Sequence, residues 1–166
     1  MRFHPTLKLA QKLRIDSLTS CTGAPGDLAS WYANLFRVDR VQFVLFTNPP
    51  SLFSLLVFGR GISSSAQLCE AFEVELRDYL APVGLYEPYC LAVGPGLLQR
   101  KICKTGDRAV LGSMNSMIDI CKWYINDGDG YRRAMANLLN QTPYKLIRYR
   151  RPVDVFCSLL LQGAGT

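Results

Sequence analysis

The chain has 166 residues, of which 49% are hydrophobic and 19% are charged, and its formal net charge is +6. This length and composition exclude an intrinsically disordered chain and predict a single domain over 1–166, with a sheet-containing part (1–105) and a mainly helical part (106–166). Six cysteines without C-x-x-C spacing, beside one histidine, exclude the common structural zinc sites and favour buried free thiols over disulfides.

The first half of the chain predicts one helix and several strands. Residues 2–5 can form a short strand, and the apolar spacing predicts a helix over 6–14. Three further strands follow from alternating aromatic and aliphatic residues. They cover residues 31–38, 41–48 and 51–58. Because only Asp39 and Arg40 separate the first two, we expect a two-residue hairpin within an antiparallel meander.

The most apolar stretch, residues 41–59, has the length of a membrane span. An Asn-Pro-Pro tripeptide at 48–50 interrupts it, and because proline would break a spanning helix, two strands and a turn are favoured. The strand over 41–47 is apolar on both faces, which predicts a central strand covered on both sides or a face used in a homo-oligomer. No apolar leader follows Met1, so we expect no signal peptide, no membrane partner and a cytoplasmic location.

The second half of the chain predicts mainly helices. An amphipathic helix over 65–80 carries its acidic residues, Glu75 among them, on a solvated face, and none is predicted to be catalytic. Residues 81–98 are rich in proline and glycine and need not be regular, whereas 97–105 predicts another strand. Three further helices cover 109–125, 129–140 and 152–161. The predicted fold class is α+β, a small antiparallel sheet packed by helices, with a C-terminal helical segment.

The sequence KTGDRAVLGSMNSM, residues 104–117, places polar groups around two glycines at the start of a helix. It is not a Walker A loop, because no Gly-Lys-Ser/Thr precedes the helix. A strand end, a Gly/Asp turn and helix backbone N–H groups are nevertheless the ingredients of an anion site. The alternative is structural: Thr105 or Asp107 caps the helix, and Gly112 lets it pack closely on the sheet.

Catalytic and metal sites find little support in the sequence. His4 is the only imidazole available to a nucleophilic triad, and a lone histidine is more often a surface or core residue. Asp127 and Asp129 flank Gly128 in a turn typical of a helix end, and they lack the further oxygen ligands of a calcium or magnesium loop. We therefore predict no catalytic residue, no metal and no cofactor, and favour a protein that is not an enzyme.

Residues 100–151 hold eleven basic and four acidic groups, a net charge of +7. Such a block indicates a polyanionic partner, either nucleic acid or an acidic protein, although a solvated basic face would also account for it. Within it, YKLIRYRRP (144–152) interleaves basic and aromatic residues suited to phosphates and unpaired bases. A helix-turn-helix over 109–140 is disfavoured because its connector NDGDG is long. The candidate nucleic-acid contacts are Arg132, Arg133, Lys145, Arg148, Tyr149, Arg150 and Arg151.

Three stretches of the chain resemble an uncharacterised family of small bacterial proteins, a domain of unknown function. The stretches are 27–57, 104–117 and 137–156. They carry, in order, the W-Y-A-N-L, K-T-x-x-R-x-V-L-G-S-M-N and L-N-x-T-P signatures of that family. The chain departs from the family pattern at Ala29-Ser30, Ala109 and Ser116, which would weaken a site built on those positions. The resemblance implies a shared α+β fold and brings no established activity.

Polar residues within the signature stretches suggest a ligand site. If the strand over 31–38 adjoins the turn at 104–115, their side chains would converge, either as a buried network that locks sheet to helix or as a pocket. The ligand-binding candidates are Asn34, Arg37, Lys104, Thr105, Arg108, Ser113 and Asn115.

Three functions are compatible with these features. The leading hypothesis is a non-catalytic binding or regulatory module, of the kind found in mobile elements, prophages or defence loci, whose basic C-terminal surface contacts nucleic acid or an acidic protein. The second is an enzyme or binder of a phosphorylated or nucleotide-like ligand at the 104–115 turn. The third is an adaptor that oligomerises through the apolar strands at 41–58.

Overall fold

A computed structural model describes residues 1–21, 23, 26–124 and 131–163 of the chain. Five strands form one sheet. They are β1 (Arg2–Pro5), β2 (Ser30–Val38), β3 (Val41–Thr47), β4 (Ser54–Phe58) and β5 (Lys101–Ile102). Their spatial order is β4-β3-β2-β1-β5. β2, β3 and β4 are antiparallel neighbours, whereas β1 pairs in parallel with both β2 and β5.

The described residues contain six α-helices. They are α1 (Leu7–Lys12), α2 (Ser65–Leu80), α3 (Tyr86–Val93), α4 (Arg108–Tyr124), α5 (Tyr131–Gln141) and α6 (Pro152–Gly163). α2 is capped by Ser64, whose hydroxyl accepts from the Gln67 N–H, while the Gln67 side chain accepts from the N–H of Ser63, one residue before the cap. Short 3₁₀ turns flank α3 at Ala81–Val83 and Gly94–Leu97.

Helices cover both faces of the sheet. Because successive side chains of a strand point to opposite faces, each central strand contributes to both of the resulting apolar clusters. On one face, Trp31, Ala33 and Leu35 of β2 join an apolar cluster with α1, α2, α3 and α6. On the other face, Tyr32 and Phe36 pack against α4 and α5. The expectation that the apolar strand at 41–47 is central and covered on both sides is confirmed.

Side chains of α5 cover the edge of the sheet at β4. Asn140 accepts from the Ser54 N–H at 2.7 Å and donates to the Ser54 carbonyl at 2.9 Å. Arg132 donates to the Leu56 carbonyl at 3.0 Å. An uncovered edge strand would offer these backbone groups to another chain, so α5 removes a route to strand-mediated association.

The α+β class and the two-residue hairpin at Asp39 and Arg40 are confirmed. The sheet is mixed rather than purely antiparallel, because β1 and β5 add in parallel. The strand expected over 51–58 begins only at Ser54, since the Asn48 N–H bonds to the Phe53 carbonyl and closes a turn. The strand expected over 97–105 is reduced to two residues.

The segment 81–98, for which the sequence predicted no regular element, contains α3. Pro88 lies within the first turn of α3, where a backbone N–H has no intrahelical partner and proline is tolerated. The solvated face expected for the acidic residues of α2 is wrong for Glu75. Its side chain is buried and forms an ion pair with Arg132 of α5.

Two cysteines are not free thiols. Cys21 and Cys103 form a disulfide across a sequence separation of 82 residues, which corrects the expectation of free thiols for this pair. A parallel bridge between Thr19 and Cys103 brings the two segments together, a long-range contact that cysteine spacing does not reveal. The other four cysteines are free, and Cys69 and Cys121 are buried as expected.

Asp127, Asp129 and the first residues of the helix expected over 129–140 lie outside the described residues. Within the described ranges, no helix combines the length and the apolar character needed to cross a membrane. The same part of the chain contains no cluster of three or more metal-ligating side chains.

Candidate functional site

A cavity of about 820 Å³ opens beside the turn of the β2–β3 hairpin. Its lining residues are Lys12, Arg37, Arg40, Val41, Gln42, Phe58, Arg60, Gly61, Ile62 and Ser63. Four of these are basic and none is acidic. Because low-dielectric walls focus the field of like charges, such a cavity attracts anions.

Each basic side chain comes from a different element that reaches this end of the sheet. Lys12 is the last residue of α1, Arg40 lies in the hairpin turn, and Arg60 follows β4. Arg37 occupies the same face of β2 as Leu35, one step beyond the apolar cluster. The hairpin therefore carries basic groups out of the core and onto the wall of the cavity.

Lys12 is held in place by two neutral acceptors. Its Nζ donates to Gln42 Oε1 at 2.8 Å and to the Gly59 carbonyl at 2.7 Å. Gly59 lies so close to β3 that a Cβ there would stand 3.1 Å from the Cβ of Gln42 and 3.3 Å from its carbonyl carbon. Burial lowers the pKa of Lys12, because part of its ammonium group leaves water.

The three arginines of the cavity are exposed. Among the described residues, the side chains of Arg37, Arg40 and Arg60 form no hydrogen bond or ion pair. Asp39 shares the hairpin turn with Arg40 but does not line the cavity. No carboxylate in the lining offsets the positive charge of the cavity, so a bound anion would supply a counter-charge.

The turn at 104–115 is organised as a helix cap. Asp107 Oδ1 accepts from the N–H groups of Ala109 at 2.8 Å and Val110 at 3.2 Å. The Asp107 N–H in turn donates to the Tyr32 hydroxyl at 3.1 Å. Since a carboxylate of the chain itself occupies the first N–H groups of α4, the turn offers an external anion few free donors.

The sequence-derived ligand candidates do not gather into one pocket. Asn34 and Arg37 are three residues apart on β2, an odd separation that places them on opposite faces of the sheet. The remaining candidates lie along the turn and α4. Thr105 donates to the Pro5 carbonyl, and Ser113 donates back to the Ala109 carbonyl of its own helix.

Three of these candidates, Lys104, Arg108 and Asn115, are exposed, and their side chains bond to no other described residue. Asn34 accepts from the Thr6 hydroxyl at 3.2 Å. Of the seven ligand candidates, Arg37 is the one that lines the 820 Å³ cavity.

The basic C-terminal segment is largely bonded to the protein itself. Arg151 makes two bonds to the Asp154 carboxylate, at 2.7 and 2.9 Å, and a third to Gln141. Arg150 bonds to Ser158, Arg132 is paired with Glu75, and Arg133 donates to the Asp78 carbonyl. Of the seven nucleic-acid candidates, Lys145, Arg148 and Tyr149 remain exposed with no side-chain bond to the described part of the chain.

His4 forms a buried chain of hydrogen bonds. Its Nδ1–H donates to the Lys104 carbonyl at 2.8 Å, which leaves Nε2 to accept from the Ser30 hydroxyl at 2.8 Å. The arrangement is that of a Ser–His pair with a carbonyl in place of an orienting carboxylate. Both side chains are buried, and neither lines the cavity, so the pair joins β1, β2 and the segment after β5.

Sequence reasoning missed three of the four cavity cations, Lys12, Arg40 and Arg60. A signal was present: Arg37, Arg40 and Arg60 all stand near one end of the antiparallel strands predicted from the alternation. Lys12 is placed there only by the packing of α1 on β2. The large net charge of residues 100–151 instead indicated a segment in which most arginines are bonded to carboxylates, carbonyls or neutral side chains of the protein.

Residues 2–155 match the family described as Domain of unknown function (DUF6933). A comparison with curated proteins finds no match. The family match extends from β1 into α6 and includes every residue that lines the basic cavity. Because it covers much more than half of the chain, this protein belongs to the DUF6933 family of uncharacterised domains.

Proposed function

We propose that this protein is a non-catalytic binding module that takes an anionic partner at the cavity lined by Lys12, Arg37, Arg40 and Arg60. The observation that carries the proposal is the convergence of four cations on one concave site without an acidic residue in its lining. The proposed partner is still polyanionic, but it contacts the end of the β2–β3 hairpin rather than the C-terminal segment.

The distribution of intramolecular bonds supports this choice of surface. Arg150 and Arg151 are engaged by neighbouring side chains, so binding an external phosphate would require existing bonds to break. Arg37, Arg40 and Arg60 have no such bonds among the described residues and can meet an anion without breaking an internal bond. A cytoplasmic location stays a prediction, and the Cys21–Cys103 disulfide bears on it because disulfides persist mainly in oxidising compartments.

The experiment is equilibrium binding of the purified protein to two anionic probes, inorganic triphosphate and a labelled single-stranded oligonucleotide, at about 50 and 200 mM salt. The test variant is Arg37→Ala/Arg40→Ala/Arg60→Ala. The matched control, Lys145→Ala/Arg148→Ala/Arg150→Ala, removes the same number of charges from the C-terminal segment. Thermal unfolding of both variants verifies that each is folded.

We expect at least one probe to bind, more weakly at the higher salt concentration, and we expect the cavity variant alone to lose that binding. Equal losses in the two variants would mean that net charge, not the cavity, attracts the probe. Binding that survives in the cavity variant and disappears in the control would return the site to the C-terminal segment. Failure of both probes at low salt would refute the proposal.

A further inference from the structure

We infer that the ligand of this cavity is a small organic polyphosphate, such as a nucleoside di- or triphosphate, rather than a nucleic-acid strand. The inference rests on the proposed anion-binding function and goes beyond it in naming the chemical class of ligand. It depends on the size of the cavity, on its apolar residues, and on how the basic groups are distributed over the rest of the surface.

The size and charge of the cavity suit a compact polyphosphate. Its volume of about 820 Å³ lies within the range of about 300 to 1,000 Å³ typical of small-molecule sites. A terminal phosphate carries about 1.5 to 2 negative charges near neutral pH and each bridging phosphate carries one, so a nucleoside di- or triphosphate carries about three to four charges, which match four cations. Arginine and lysine donors on several sides can each engage a different phosphate oxygen.

The cavity also contains apolar residues that an inorganic anion would not use. Val41 and Phe58 line it and are 44% and 37% exposed, although both belong to strands whose other apolar side chains are mostly buried. Ile62 adds a buried apolar side chain to the same lining. An organic group attached to the phosphates would cover this surface, and an aromatic base would gain stacking energy from a phenyl ring.

One donor of the cavity is fixed before any ligand arrives. Lys12 Nζ bonds to Gln42 and to the Gly59 carbonyl, which uses two of its three N–H groups and holds the ammonium in one position. A donor that is already ordered loses little entropy on binding, so it favours a ligand of defined size. A polymer backbone that slides along the surface would gain less from such a fixed point.

Several of the remaining basic groups are not free to extend the cavity into a track for a strand. A nucleic-acid groove follows the backbone over several nucleotides with successive free cations. Here the C-terminal arginines Arg132, Arg150 and Arg151 are bonded to Glu75, Ser158 and Asp154. Lys145, which has no side-chain bond to the described part of the chain, lines a separate cavity as its one basic residue. The four cations of the basic cavity therefore form a compact cluster, whose extent fits a small ligand.

Isothermal titration tests the inference with four probes: orthophosphate, inorganic triphosphate, ATP, and a single-stranded oligonucleotide. We expect ATP to bind about tenfold or more tightly than inorganic triphosphate, and orthophosphate to bind more weakly than either. Arg40→Ala should weaken ATP and triphosphate alike, by about tenfold, because it removes a charge-assisted bond common to both. Phe58→Ala should reduce the preference for ATP and leave triphosphate binding unchanged.

Because Phe58 also packs on Phe43, with ring centroids 5.4 Å apart, Val41→Ser serves as a second variant on the apolar wall. An oligonucleotide that binds at the cavity while ATP and triphosphate do not would overturn this inference and leave the proposed anion-binding function standing. Equal binding of ATP and triphosphate, unaffected by both apolar variants, would also overturn it. Failure of all four probes would remove both proposals together.

Discussion

Replacing Arg132 by methionine should destabilise the protein strongly, because it strands a buried carboxylate. Glu75 is 3% exposed, and its ion-pair partner is Arg132. Arg132 also donates to the Leu56 carbonyl at 3.0 Å and lies 5.6 Å from the centre of the Phe58 ring. The Arg132 side chain is 28% exposed, and its partial burial lowers the pKa of its guanidinium.

The magnitude follows from the cost of a buried charge without a partner. Removing one member of a buried ion pair costs about 3 to 5 kcal/mol, a large part of the 5 to 15 kcal/mol by which native proteins are stable. For a chain of this length, each 1 kcal/mol shifts the melting temperature by about 2 to 4 °C, so a loss of about 6 to 20 °C is expected. The exposed ion pair between Arg100 and Glu73 provides the comparison, because Glu73 lies on α2 like Glu75 and Arg100→Met should cost less than about 1 kcal/mol.

Urea unfolding of Arg132→Met, Glu75→Met, Arg100→Met and the double variant Glu75→Met/Arg132→Met measures these effects. The double variant should be more stable than Arg132→Met alone, because it removes the stranded carboxylate together with its partner. The reasoning is refuted if Arg132→Met loses no more stability than Arg100→Met. It is also refuted if the double variant is as unstable as the sum of the two single variants.

Three further predictions concern other contacts. Burial lowers the pKa of His4, so the unfolded state binds more protons than the folded state below about pH 6.5. The free energy of unfolding should therefore fall with decreasing pH, by at most about 1.4 kcal/mol per pH unit, and His4→Asn should flatten this dependence in acid unfolding curves. Cys21→Ser should lower the free energy of unfolding by about 4.5 kcal/mol, because the disulfide to Cys103 closes a loop across a separation of 82 residues. A reducing agent should lower the free energy of unfolding of the native protein by the same amount and leave that of the variant unchanged. Asn140→Ala should leave the Ser54 N–H and carbonyl unpaired at the edge of β4, which should cost about 2 to 4 kcal/mol of stability and promote concentration-dependent association in size-exclusion chromatography. A variant that stays monomeric and as stable as the native protein would contradict this role for α5.

The local patterns of the sequence were sufficient for most of the fold. Apolar residues at helical spacing located α2 over Ser65–Leu80 with both ends correct, and two residues between alternating segments identified the β2–β3 hairpin. Proline misled the prediction at α3, because its effect depends on whether it lies in the first turn or the interior of a helix. The direction of β1 and β5 was not predictable, since parallel pairing joins segments that are distant in sequence.

For the candidate site, too, local properties could be predicted from the sequence, whereas contacts between distant segments could not. The sequence by itself determined most of the elements, the basic character of the chain and the two faces of β2, because side-chain periodicity and formal charge are local properties. Only the tertiary structure decided which cations are free: Arg132 of α5 is paired with Glu75 of α2, whereas Arg37 and Lys12 line a cavity that has no acidic residue in its lining. Burial, pairing and convergence depend on contacts between distant segments, so identical arginines in the sequence acquire different chemical roles once the chain has folded.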